Sequence, residues 1–398
     1  MPGPGYDKIG QSERSNAEDV LSTWALTRYL FADPENQSWV RRFETNISVR
    51  LDSPHAVAVN SGTSALVTAL AGLGIGTGDE VIVPGYTYVA SIGAIAHLGA
   101  TPILAEINGT LTLDPADVAA RITSRTKAIV AVHMLGAPCD LDALRTIADD
   151  NSLALVEDAA QSFGGSYKGR SLGTVGDAGA FSFNPYKVIT TGEGGVALFS
   201  RYRDYYAGYA FQDQGWPPGR ELGNEPDGYK PTFGLNLRMP ELSAAIGCAQ
   251  LDKLDEVLHE VRDARDRLLE ALEVPATAHL RPSNDAAGDT GNVVVITFDE
   301  QAHAQRTATK LGSKTLDDSG RHFYANMIQL GDRAQRGALP RTDDLLERSI
   351  ALSVGVSDGH LGSGYGIHPN STNDEINAIA AEFANAVATS ATISGSYA

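Results

Sequence analysis

The chain has 398 residues, room for one large domain with an appendage or for two domains. Hydrophobic residues make up 42% and charged residues 20%, which calls for a packed core and excludes a disordered chain. The formal net charge of −18, from 49 acidic and 31 basic residues, argues against nucleic acid or an anionic membrane surface as a partner.

Residues 1–16 are rich in Gly, Pro and Ser and are expected to form an arm. Helices are expected over Ala17–Leu30 and Ser38–Leu51. Strand and helix then alternate. The strands are Ala56–Val59, Val81–Val83, Pro102–Ala105, Ala128–His133, Ala154–Glu157, Gly179–Phe183 and Gly195–Phe199. The helices are Thr63–Leu73, Val89–Leu98, Leu141–Ala148, and Pro115–Ile122 with Asp114 as N-cap. Strands that are apolar throughout and separated by helices predict a mostly parallel sheet covered on both faces. Such sheets carry their sites at the carboxyl ends of the strands.

Leu251, Leu254, Leu258, Val261, Leu268 and Leu272 follow a helical period and predict one long helix over Pro240–Leu272. A strand at Val293–Phe298 and a helix at Glu375–Val387 then predict a smaller domain. The expected α/β organisation is an arm (1–16), a large domain (17–261) built on a seven-stranded α/β/α sheet, a small C-terminal α+β domain (262–388) and a frayed tail (389–398). No stretch reaches the roughly 18 apolar residues of a membrane span, and the N-terminus lacks signal-peptide architecture. Cys139 and Cys248 have no metal-ligand spacing and are expected as buried thiols. A cytoplasmic protein with no resident metal is the expectation.

Several groups fall at predicted strand ends. Ser61-Gly62-Thr63-Ser64 joins a strand to a helix, where backbone N–H groups and the helix dipole favour an anion. The same residues also read as a helix cap with a turn glycine, and neither a mononucleotide nor a dinucleotide fingerprint follows. Tyr86 and Tyr88 follow the next strand, where an aromatic either stacks on a planar ligand or packs in the core; the choice between them stays open. Asp158 ends its strand, and a buried carboxylate there needs a partner, either a protonated ring nitrogen or the following turn. Gln161 reads as a ligand to a ring hydroxyl or as surface. Lys187 lies between the strand Gly179–Phe183 and the glycines 192, 194 and 195, a semi-buried setting that lowers an amine toward nucleophilicity. Ser182, on that strand, is placed to donate to a phosphate. An amine, a carboxylate and an anion cradle at neighbouring strand ends are the groups that pyridoxal 5'-phosphate requires.

The stretches Asn-Ser-Gly-Thr-Ser-Ala-Leu (60–66), Gly-Asp-Glu-Val-Ile-Val-Pro (78–84), Val-Glu-Asp-Ala-Ala-Gln (156–161), Phe-Ser-Phe-Asn-Pro-Tyr-Lys-Val-Ile-Thr-Thr-Gly-Glu-Gly-Gly (181–195) and Asn-Leu-Arg-Met-Pro-Glu-Leu-Ser-Ala-Ala-Ile-Gly (236–247) occur in this order. Together they resemble the sugar aminotransferases of the DegT/DnrJ/EryC1/StrS family, which have the fold-type I aminotransferase architecture. The resemblance implies that Lys187 is the Schiff-base lysine and proton shuttle, Asp158 the partner of the pyridinium nitrogen and Gln161 that of the ring oxygen. It further implies that Gly62, Thr63 and Ser182 hold the phosphate and that Tyr88 stacks on the ring. Asn236 would reach the cofactor phosphate of a neighbouring subunit, which implies a homodimer. Some relatives carry His at the Lys187 position and dehydrate their substrate, so the lysine favours transamination. The implied reaction moves an amino group from glutamate or glutamine to a keto or aldehyde group of a sugar or cyclitol in secondary-metabolite or cell-surface sugar biosynthesis. Elimination, an oxidative reaction or a non-catalytic sensor are the alternatives. Arg28, Arg238, Arg321 and His322 are candidate substrate contacts. The segments Ser319–Tyr324 and Gly362–His368 depart from the family's commonest pattern, and an unusual ketone is the expected reason.

Overall fold

The computed structural model describes residues 2–31, 37–220, 223–356 and 364–391. Helices α1 (Pro4–Asp7), α2 (Gln11–Thr23) and α3 (Trp39–Leu51) precede the alternating run. That run is β1 (His55–Val59), α4 (Gly62–Gly72), β2 (Glu80–Pro84), α5 (Val89–His97), β3 (Thr101–Ala105), α6 (Pro115–Arg121), β4 (Thr126–Val132), α7 (Leu141–Asp150) and β5 (Ala154–Asp158). A hairpin of β6 (Ser166–Tyr167) and β7 (Arg170–Ser171) leads to β8 (Ala178–Ser182), β9 (Gly195–Phe199) and α8 (Tyr202–Gln212). Helices α9 (Glu241–Leu251) and α10 (Leu254–Ala271) carry the chain to β10 (Ala278–Leu280), β11 (Val293–Phe298), α11 (Gln301–Lys310) and α12 (Pro340–Glu347). The last elements are β12 (Ser349–Val354), β13 (Tyr365–Ile367) and α13 (Asn373–Ala391).

The large sheet has seven strands in the order β1-β9-β8-β5-β4-β2-β3. The pairs β8–β5, β5–β4, β4–β2 and β2–β3 are parallel, whereas β9 is antiparallel to both β1 and β8. Reversing β9 alone leaves the other six strands co-directional, so their carboxyl ends share one edge. Along β4, Ile129 and Ala131 feed one apolar layer and Ala128, Val130 and Val132 the other. Both faces are covered, which is why the strands read as unbroken apolar runs. A second sheet, β10-β11-β12-β13, is antiparallel except for the parallel pair β12–β13.

Local chemistry fixes the helix ends. Ser38 Oγ accepts from Arg41 N–H at 3.2 Å, and the buried Glu241 carboxylate receives the N–H groups of Trp39 (2.6 Å) and Val40 (3.3 Å). The orphan donors opening α3 are thereby satisfied by a residue about 200 positions away. Asp114 caps α6, accepting from Ala116 N–H at 3.0 Å, as its sequence predicts. Cys139 and Cys248 are both buried and unpaired, and burial pushes the Cys248 thiol up to about 12.

Several expectations change. Residues 1–16 are not a loose arm, since α1 and the first six residues of α2 lie within them. Helix α2 begins at Gln11, where Glu13 accepts from Gly10 N–H at 2.8 Å, and it stops at Trp24, whose φ is +61°. The helix expected over Pro240–Leu272 is two helices, broken at Asp252 and Lys253. Helix α10 runs unbroken through the expected domain boundary at 261/262, with Val261, Ala264 and Leu268 all buried. Helix α13 continues to Ala391, three residues into the expected tail; residues 392–398 lie outside the described residues, as do 362 and 363 of the segment Gly362–His368.

Candidate active site

Three strand ends converge on the cradle. Strand β1 runs into α4, whose N-cap Ser61 accepts from Ser64 N–H at 3.1 Å. As the first residues of that helix, Gly62 and Thr63 have N–H groups without an intrahelical acceptor. Ser182, at the end of β8, lies so near that a Cβ on Gly62 would stand 2.5 Å from its Cβ. Gly195, opening β9, pairs with both Val59 and Ser182, and a Cβ there would stand 2.3 Å from the Ser61 carbonyl oxygen. Only glycine fits at either position. Ser182 is buried and Thr63 exposed.

Asp158 ends β5 and is 5% exposed. Its Oδ1 accepts from Ala160 N–H at 3.1 Å and its Oδ2 from the Ser91 hydroxyl at 2.6 Å. Behind it the fully buried Glu157 takes N–H groups from Gly173, Val175 and Gly176 and meets His133 Nε2 at 2.9 Å. A buried charge so completely bonded is a fixed part of the sheet edge rather than a reagent. Gln161 is held through Oε1, which accepts from Leu135 N–H at 3.0 Å. To present that N–H, Leu135 adopts a left-handed backbone with φ +56°.

A cavity of about 440 Å³ opens in front of these ends. Lys187, Gln161, Tyr88, Arg321 and His322 line it, together with Ala160, which stands two residues after Asp158. Lys187 is half-buried in a turn closed by its own N–H donating to Asn184 O at 3.1 Å. Of the two tyrosines, Tyr86 is wholly buried in the core and Tyr88 faces the cavity, its ring centroid 5.1 Å from that of His322. The unusual segment around 322 belongs to this wall. Thr87 N–H donates to His322 O (2.9 Å) and Val89 N–H to Arg321 O (2.8 Å), so the second domain grips the turn that carries Tyr88.

Three sequence candidates lie elsewhere. Arg28 is committed to Glu44 (2.6 Å) and to the Tyr209 hydroxyl (3.1 Å), a mostly buried ion pair outside the cavity wall. Arg238 bonds Asp213 at 2.5 Å and Gln214 at 3.3 Å. Asn236 is exposed, bridges to Asp213 through its backbone and does not line this chain's cavity. Conversely Asn184, Glu193 and Asn292 line the cavity without having been singled out. Thr87 and Ser91 are legible only as a pair of hydroxyls flanking Tyr88 in an otherwise apolar and small-residue helix start.

An amine facing a cavity, a buried carboxylate with both oxygens pinned, and a glycine-only cradle under open N–H groups fit pyridoxal phosphate. Known proteins agree. The model of the DegT/DnrJ/EryC1/StrS aminotransferase family matches residues 33–358. GDP-perosamine synthase of Vibrio cholerae is 32% identical over 354 residues, covering 88% of this chain and 93% of that protein. L-glutamine:2-deoxy-scyllo-inosose aminotransferase of Streptoalloteichus tenebrarius is 39% identical over 269 residues, 65% of this chain and 62% of that protein. The solved aminotransferase of Psychrobacter cryohalolentis superimposes with a TM-score of 0.81 at 26% identity, covering 98% of this chain and 100% of that one. The fold-type I architecture and the transaminase chemistry expected from the motifs are therefore those of its relatives, and the chain belongs to the DegT/DnrJ/EryC1/StrS family of pyridoxal-phosphate-dependent sugar and cyclitol aminotransferases.

Proposed function

We propose that the enzyme moves an amino group from glutamate or glutamine to the keto or aldehyde carbon of a sugar or cyclitol in secondary-metabolite or cell-surface sugar biosynthesis. The observation that carries this reading is the sharing of one cavity by Lys187, Gln161 and Tyr88, with Asp158 at the strand end behind them. The names of the two relatives, one acting on a nucleotide-linked sugar and one on a cyclitol with glutamine, support the substrate class. When bound, pyridoxal phosphate supplies a ring that accepts the electron pair left as the substrate's C–H bond breaks.

The chain's own residues do the rest. Lys187 Nζ would hold the cofactor through its carbonyl carbon, with loss of water; released by the incoming donor amine, it would move the donor's α-proton to that carbon, and in the second half-reaction it would move a proton from that carbon to the acceptor carbon. It acts as base and then as acid in each half-reaction. The Asp158 carboxylate holds the proton on the ring nitrogen. Because Oε1 of Gln161 is occupied by Leu135 N–H, its Nε2 is left to donate to the ring oxygen. Tyr88 covers the ring, while Gly62, Thr63 and Ser182 hold the phosphate. Arg321 and His322 are assigned to the acceptor on the strength of their place in the wall; Arg28 and Arg238, spent on carboxylates, are not. Asn236 is assigned to the partner's cofactor phosphate in a homodimer, which its exposure supports. Among the described residues no helix is long and apolar enough to cross a membrane; the two unpaired thiols support a cytoplasmic setting.

Borohydride reduction of the cofactor-loaded protein followed by peptide mapping tests the reading. A pyridoxyl adduct on Lys187 is expected, as is release of 2-oxoglutarate from glutamate, or of its ω-amide from glutamine. The reading is falsified if the adduct lies elsewhere or if no amino acid yields its keto acid.

A further inference from the structure

We propose that Ser91, backed by Thr87, is a positioning residue that aims Asp158 at the cofactor; this rests on the role given to Asp158 above. Ser91 Oγ lies 2.6 Å from Asp158 Oδ2, and Thr87 Oγ1 lies 2.6 Å from Ser91 Oγ. Both hydroxyl residues are 0% exposed. Three groups form a file with no water-accessible member except the carboxylate, whose remaining oxygen is fixed by Ala160 N–H.

The local fold produces the file. Strand β2 ends at Pro84, and the next turn is gripped by the carbonyls of Arg321 and His322, so α5 starts at Val89. Ser91 then falls on the first helical turn, on the face that also buries Ile92, Ala94 and Ile95. An apolar residue there would fill the same space. A hydroxyl there meets the end of β5 instead.

The geometry also fixes the direction of the protons. An ionised carboxylate only accepts, so Ser91 donates to Asp158 and is free to accept from Thr87. The reverse order would need a protonated Asp158 donating to Ser91, Ser91 donating to Thr87, and Thr87 donating onward. Its onward acceptor is the Tyr88 carbonyl oxygen at 3.5 Å, the outer limit of a hydrogen bond. The forward order makes two short bonds, and each polarises the next. The file therefore directs the Ser91 hydroxyl to Asp158 Oδ2 and, with Ala160 N–H on Oδ1, fixes the carboxylate in one orientation. A carboxylate fixed against the ring nitrogen would hold a proton there, and that positive charge would lower the proton affinity of the nearby lysine–cofactor link.

The test uses protein loaded with pyridoxal 5'-phosphate and the variants Ser91→Ala, Ser91→Thr and Thr87→Val. Absorbance of the lysine-bound cofactor is titrated with pH, and cofactor affinity is measured by equilibrium dialysis. Ser91→Ala is expected to raise the titration midpoint by about half a unit to one unit and to weaken cofactor binding by roughly three- to tenfold. Ser91→Thr restores both, and Thr87→Val shifts both in the same direction by less. If Ser91→Ala yields no folded protein, Thr87→Val alone decides the matter. An unchanged midpoint and affinity with only a lower Tm would mean that the hydroxyls merely satisfy one another, which overturns the proposal. The pyridoxyl adduct on wild-type Lys187 separates this from failure of the site itself: adduct present with an unmoved midpoint sinks only the Ser91 role, and adduct absent sinks both.

Discussion

One methyl group added to Gly62 would meet Ser182 Cβ at 2.5 Å, well inside van der Waals contact. Strand β8 is packed between β5 and β9 and cannot retreat, so Gly62→Ala should cost about 1–3 kcal/mol in the apoprotein and abolish tight cofactor binding. Pairing it with Ser182→Gly removes the clashing atom. The double variant should recover the apoprotein Tm without recovering cofactor affinity, since the hydroxyl is gone; calorimetry and dialysis separate the two effects. Arginines sort in the same way. Arg28→Met leaves Glu44, 2% exposed, with only the more distant Arg41 (3.8 Å) as counter-charge and should cost about 3 kcal/mol of stability with no change in acceptor KM. Arg321→Ala removes an exposed side chain in the cavity wall and should raise acceptor KM with Tm unmoved. A raised KM for Arg28→Met and none for Arg321→Ala would reverse the assignment.

The first two helices hold the turn that carries Lys187. Gly3 N–H donates to Pro185 O at 2.7 Å, and a Cβ on Gly3 would stand 2.5 Å from Lys187 O, as one on Gly5 would from Ile189 Cα. The segment is tied down by Lys8 to Glu256 (2.7 Å) and Glu260 (2.6 Å) and by Glu13 to Lys253 (2.6 Å). Burial alone would raise the Glu13 carboxyl, but the bonds from Lys253, Gly10 N–H and Gln250 outweigh it and hold it at about 2 against an ordinary 4.5. Its contribution is full above pH 4.5 and is lost as the pH falls toward 2. Glu13→Gln should therefore lower Tm at pH 7 and flatten the acid limb of the Tm profile between those values; an unchanged acid limb would mean that other carboxylates set it. None of this tether was legible in the sequence, where a Gly/Pro-rich start looks like a loose arm. Its glycines mark close approach to another segment rather than freedom. Helix α8 was equally hidden, because Tyr206, Tyr209 and Ala210 are buried without an apolar stripe to announce it. The break between α9 and α10 was invisible for the opposite reason. Asp252 and Lys253, at φ −63° and −98°, barely leave helical geometry, so the leucine period runs on across it.

At the scale of the whole molecule, what the sequence reveals depends on whether a group acts through its own strand or through a distant one. Lys187, Asp158, Gly62 and Ser182 stand at the ends of apolar strands, and a parallel sheet brings such ends together whatever the details. Arg28 and Arg238 look available in the sequence because their partners, Glu44 and Asp213, come from elsewhere in the fold, and a charge looks available until its partner is seen. The same limit applies to surfaces. Phe233 is 99% exposed, Leu30 64% and Trp24 85%. The stretch bearing Leu30 and the one bearing Phe233 meet where Tyr29 and Arg238 both bond Asp213, next to the exposed Asn236. In the proposed homodimer, these large apolar side chains, beside the residue assigned to a neighbour's phosphate, would be covered by the second copy. Phe233→Asp combined with Leu30→Asp should shift the protein from dimer to monomer in sedimentation velocity. Cofactor affinity should fall in parallel, because each site then lacks the partner's asparagine. Asn236→Ala should weaken cofactor binding while leaving the dimer intact. A double variant that stays dimeric with unchanged affinity would place the interface, and the role of Asn236, elsewhere.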